Sequence, residues 1–217
     1  MPFSESQFLD VFRHYNEAVW PAQLALAALG VAAVAIAVRG GSRSGALVGV
    51  SLAVLWAWAG LVYHVGFFRG INPAATIFGA AFVVQAVLLA WAGLSPGRLA
   101  FDVGRDVRGT LGLVLVAWAL AVYPAAGLLL GHRYPAMPTF GLPCPLTILT
   151  IGLLVWAGPR APRVLMVIPL LWSAIGTIGA FRLGMPEDLS LAAAALVGLS
   201  SLVRHPVRPH FHARPAT

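Results

Sequence analysis

The chain has no lysine, a single cysteine and few charges of either sign. One cysteine cannot close an internal disulfide, so a stapled secreted fold is excluded. Without a lysine amine there is no retinal-type or pyridoxal Schiff base. Charged residues make up 10% of the 217 residues, against about 25% in a soluble domain. Catalytic signatures are also lacking. No phosphate-loop, zinc-protease or Cys-x-x-Cys spacing occurs, which argues against a hydrolase. No nucleic-acid module occurs either, so the basic balance is not read as a nucleic-acid footprint. The opening residues Met1-Pro2-Phe3-Ser4-Glu5 lack a basic n-region, and no signal peptide is expected.

What the chain has is apolar surface. Hydrophobic residues are 59% of the total, and the mean hydropathy is +0.86. The fold class is therefore an all-α polytopic membrane protein. Residues 1–19 read as a short interfacial helix: Ser4 and Gln7 make a capping box, and Phe8, Val11, Phe12 and Tyr15 repeat at helical spacing. Trp20 ends it as an aromatic anchor. Residues 20–203 hold seven apolar runs, near 20–38, 46–67, 74–94, 109–130, 143–156, 164–181 and 189–203. A spanning helix needs about 20 residues, so the fifth and seventh are short. A six-span alternative makes the fifth run re-entrant. Residues 204–217 read as a basic, disordered cytoplasmic tail beside anionic lipid.

Seven spans divide the arginines, ten on one side and four (Arg13, Arg69, Arg133 and Arg182) on the other. The positive-inside rule then puts the N-terminus outside and the C-terminus in the cytoplasm. Small residues within the spans permit close helix contact and leave a homo-oligomer open.

This orientation gathers reactive side chains at the outer end. The second span ends in Tyr63-His64, the third starts at Asn72-Pro73, and the fourth ends at His132. The fifth begins at Cys144, between Pro143 and Pro145, near a helix start whose free N–H groups favour a thiolate. His14 lies on the N-terminal helix with Asp10 and Glu17. Imidazole and thiolate at one depth suit a soft or borderline ion such as Zn or Cu, with His14, His64, His132 and Cys144 as ligands and Glu17 in support. The competing reading is structural. His64 then bonds a carbonyl at a helix end, His132 is solvated, Cys144 packs, and His14 sits on a wet face. Gln85, mid-membrane, is either interhelical glue or path-lining. Tyr63 and Tyr123 are assigned to the aromatic belt, and the tail histidines His205, His210 and His212 to the far side.

Three blocks carry a resemblance. Phe8 and Tyr15-Asn16 lead into Ala18-Val19-Trp20-Pro21-Ala22-Gln23. Tyr63-His64 and Phe67-Phe68 precede Ile71-Asn72-Pro73-Ala74-Ala75. Gly131-His132 and Tyr134-Pro135 precede Pro138-Thr139-Phe140-Gly141-Leu142-Pro143-Cys144-Pro145, with Thr147, Thr150 and Gly152. Together they resemble a family of small bacterial multi-pass membrane proteins classed as a domain of unknown function. Leu146 stands where that family has a second threonine. The resemblance implies a bacterial inner-membrane protein and no particular activity.

Three functions remain open on the sequence. The first is a small-solute permease, with a soft metal ion as a possible cargo. The second is a redox protein holding non-covalent haem between His64 and His132, packed by Trp56, Trp58, Phe67 and Phe68. The third is a non-catalytic membrane subunit.

Overall fold

Ser4 opens the first helix through the expected capping box: its hydroxyl accepts from the Gln7 amide at 3.3 Å, and the Gln7 side chain accepts from the Ser4 amide at 2.9 Å. That helix, α1, covers Glu5–Val19. The chain continues as α2 (Ala22–Arg39), α3 (Ser44–Gly70), α4 (Ala75–Leu94) and α5 (Val107–Leu129). It ends as α6 (Pro143–Ala157), α7 (Val164–Leu183) and α8 (Pro186–Val203), whose first turn, Pro186–Leu189, is a 3-10 helix. This computed structural model describes residues 2–203. The tail from 204 to 217, with its three histidines, lies outside the described residues.

Six of these helices, α2 to α5, α7 and α8, are long and apolar enough to cross a membrane. Two are not uniformly α-helical. A π segment runs through Ala59–Phe67 in α3, and a shorter one through Trp118–Val122 in α5. Glycines set the closest approaches. A Cβ on Gly49 would lie 2.7 Å from the Gly93 Cα, and one on Gly60 would lie 2.8 Å from the Gly79 carbonyl oxygen. These two meetings, one near each end of α4, bring α3 and α4 together as a tight antiparallel pair. The Gln85 amide links α4 to α7 by donating to the Leu165 carbonyl at 2.9 Å.

The fifth apolar run is the exception in length and the centre in position. As α6 it has 15 residues, or about 22 Å at 1.5 Å per residue, against a hydrocarbon core of about 30 Å. It contacts α2, α3, α5, α7 and α8, and every residue in it except Cys144 is buried. A helix wrapped by other helices has no lipid to match. Its two ends reach the start of α8 and the start of α5. Cys144 sits beside Asp188 at the start of α8, and the Trp156 indole donates to the Gly109 carbonyl at the start of α5, 3.0 Å away. The fifth run is thus a buried core helix, not a re-entrant piece.

The two ends differ in charge. Arg39, Arg43, Arg98, Arg105, Arg108, Arg160 and Arg163 belong to one end, and Arg13, Arg69, Arg133 and Arg182 to the other. The second end carries α1. Its apolar face meets protein: Val11, Phe12 and Tyr15 are buried against the end of α3, and the Trp58 indole donates to the Tyr15 hydroxyl at 2.9 Å. Burial pushes the Tyr15 phenol up to about 12, with the Trp58 bond opposing.

Candidate functional site

At the α1 end the helices do not fill the space between them. A cavity of about 210 Å³ remains among α1, α3, α6 and α7, floored by the start of α8. Phe3, Phe8 and Phe12 wall it on the α1 side, Tyr63 and Phe68 on the α3 side, and Trp172 on the α7 side. Gly176 and Gly179 line it on the α7 side, and a Cβ at Gly176 would meet the Leu191 side chain. A Cβ added at Gly176 would stand 3.9 Å from the Cys144 sulfur.

The polar floor is built by two local structures. The first is the start of α6. Leu142 is extended at the N-cap (φ −76°, ψ 159°), and Pro143 and Pro145 remove two donors that a helix start ordinarily leaves unpaired. That end can therefore be buried at little cost, and it carries Cys144 into the cavity wall. The second is the turn at Pro186–Leu189. It folds both its acids inward, leaving Glu187 3% and Asp188 5% exposed. Tyr123 donates to Asp188 Oδ1 at 2.5 Å, and Cys144 also interacts with that carboxyl. Cys144 interacts with the Trp172 indole as well, although the indole N–H makes no full hydrogen bond. Glu187 meets the other nearby group: its Oε1 lies 2.7 Å from His132 Nδ1, and its Oε2 has no partner.

The residues singled out from sequence separate into distinct places. Cys144, Tyr63 and Asn72 line the cavity. Asn72 also caps a turn, accepting from the Ala74 amide at 3.1 Å. His132 lies beside the floor and is held by Glu187. His64 is fully buried, with Nδ1 2.9 Å from the Ala59 carbonyl oxygen and Nε2 unpartnered. Its ring lies against Phe82 and Trp172, with centroids 4.5 and 5.0 Å away. That enclosure leaves no face for a porphyrin without repacking. Trp56, one of the proposed haem-packing rings, instead donates to Thr150 and lies on Phe82. His14 and Glu17 are exposed on the outer face of α1, and His14 Nδ1 is 2.8 Å from the Asp10 carbonyl oxygen. Gln85 lies on the α4–α7 contact, with its side-chain oxygen unpartnered. Among the described residues, no three His, Cys, Asp or Glu side chains are grouped to hold a metal ion.

Sequence reasoning missed three contributors. Glu187 and Asp188 were not singled out, and Tyr123 was assigned to the aromatic belt. The available signal was the run Met185-Pro186-Glu187-Asp188 at the start of an apolar segment, because Pro followed by acids marks a helix start.

Asn16 is the other buried polar hub. Its Nδ2 donates to the Pro135 and Met137 carbonyls at 2.6 and 2.8 Å. Its Oδ1 accepts from Gln23 at 2.5 Å and from Thr139 at 2.8 Å. It therefore fastens α1 and α2 to the loop that delivers Cys144.

The fold and these buried groups define a helical membrane protein with a polar-floored cavity at one end of its bundle. The sequence matches a family of unknown function, DUF6064, over residues 5–213, and the chain belongs to that family. No curated protein and no solved structure matches it.

Proposed function

We propose that the protein is a small-solute permease of the bacterial inner membrane, and that the cavity at the α1 end is its solute site. The cavity itself carries this reading. It is roomy, its walls are apolar, and its few polar groups converge on one floor, the usual pattern of a small-molecule site. The buried acids Glu187 and Asp188 support it further, because ionisable groups within membrane-crossing segments mark solute and proton paths. The arginine distribution supports an outward-facing cavity, with the N-terminus outside and the arginine-rich end against anionic cytoplasmic headgroups. An organic solute is the favoured cargo over a soft metal ion, since among the described residues no three His, Cys, Asp or Glu side chains are grouped.

Cys144 provides the test, as the sole cysteine and a cavity-lining residue. A membrane-impermeant maleimide is applied to right-side-out and to inside-out vesicles. A permease that alternates access exposes Cys144 to each side in turn, so both preparations label. Labelling from the outer side alone favours a fixed binding site. Labelling from the inner side alone refutes the orientation.

A further inference from the structure

We propose that this cavity binds a small organic cation, with the Asp188 carboxylate as its counter-charge and the aromatic wall as its cage. The inference deepens the solute-site reading and rests on it. Among the described residues, Asp188 is the sole charged side chain lining the cavity. It is 5% exposed and forms no ion pair among the described residues. Its partners are neutral, the Tyr123 hydroxyl and the Cys144 thiol. The nearest imidazole, His132, is directed to Glu187 instead. A carboxylate in an apolar enclosure without a counter-ion is costly, and a cation entering the cavity would remove that cost.

The walls favour one kind of cation. Trp172, Tyr63, Phe68 and Phe12 present aromatic surface from three helices. Aromatic faces attract an ammonium group most strongly when water is excluded, and quaternary ammonium groups are the usual guests of such cages. A small metal ion would have to shed its hydration shell against apolar walls, with no set of three donors to replace it. An alkylated ammonium holds water weakly and brings its own apolar surface. Size narrows the guest further. At about 210 Å³ the cavity exceeds the ~150 Å³ apolar cavity that takes benzene, so a single ring bearing a substituted nitrogen fits.

The test compares two probes of one shape. Benzyltrimethylammonium carries the charge; neopentylbenzene is its neutral isostere. Each is titrated by ligand-observed NMR against the full chain in phosphatidylcholine nanodiscs, with empty nanodiscs subtracted. The wild-type protein is expected to bind the cation at least tenfold more tightly than the isostere. Asp188→Asn should bring that ratio to about one while leaving neopentylbenzene affinity unchanged, which also reports that the variant is folded. Equal affinities in the wild type, or a ratio unmoved by Asp188→Asn, would overturn the cation assignment and leave the solute cavity standing. Binding of neither probe would overturn the cavity reading itself.

Discussion

Removing the Asn16 side chain should loosen the whole cavity end, and the size of the effect can be worked out from its bonds. Asn16 is fully buried and makes four side-chain hydrogen bonds, to Pro135, Met137, Gln23 and Thr139. A buried hydrogen bond contributes about 1 kcal/mol net, and stranding its partner costs about 1–3 kcal/mol. Thr139 and Pro135 are only half-buried, so water would recover part of their loss. Gln23 keeps a longer bond, 3.3 Å, to the Asn16 main-chain oxygen. The remainder gives about 3–4 kcal/mol for Asn16→Ala. For a chain of this length that corresponds to a melting-temperature drop of about 6–16 °C. Asn16→Asp separates bonding from packing. It has the same shape and keeps the two acceptor bonds, but it turns a carboxylate oxygen toward two carbonyls, so it should be at least as damaging. Thermal melts of both variants in mild detergent, followed by size exclusion, measure this. A shift below about 2 °C for either variant would refute the assignment of Asn16 as the fastener.

Other predictions follow from single contacts. Gly49→Val should cost at least about 1–3 kcal/mol by prising α3 from α4, whereas Gly70→Ala, with nothing within 4 Å of its added Cβ, should stay within about 0.5 kcal/mol; paired thermal melts check the contrast. Tyr15 has a folded-state pKa raised from 10.0 to about 12, so the stability it contributes is complete below pH 10 and is lost as pH climbs toward 12. Tyr15→Phe should therefore flatten the loss of stability over that alkaline window, measured by melts from pH 9 to 12, and an unchanged slope would contradict the burial argument. Cys144 labelling from the two faces of the membrane and the paired-probe titration of Asp188→Asn complete the set.

Much of the architecture was legible because lipid writes it plainly. Where a helix meets hydrocarbon, its length and composition are constrained, and α2, α3, α4, α5, α7 and α8 fell close to the apolar runs. The Ser4–Gln7 cap was legible because its chemistry is local. The fate of the α1 face was not, because an amphipathic face looks the same whether it covers lipid or protein. Phe12 and Tyr15 pack onto Tyr63 at the end of α3, and that pairing depends on tertiary placement alone. Convergence of the proposed metal ligands was not legible for a related reason. Shared depth in the membrane fixes one coordinate and leaves two free, and His14, His64 and Cys144 sit in different surroundings.

The fifth run shows how length and function are linked in this bundle. Hydropathy made it a short span, because a helix facing lipid must cover the hydrocarbon thickness. Its neighbours relieve α6 of that requirement, since α2, α3, α5, α7 and α8 stand between it and lipid. Shortness then has a consequence at its N-terminus. A helix that stops before the bundle end leaves the volume above it to be filled by something else. Here the loop held by Asn16, the aromatic residues of α1 and the inward turn at Glu187-Asp188 close over that volume without filling it. The two prolines allow the helix to start buried with few unpaired donors, and Cys144 is therefore placed beside Asp188 in the cavity wall. The cavity is thus the space left where a core helix is shorter than the helices around it.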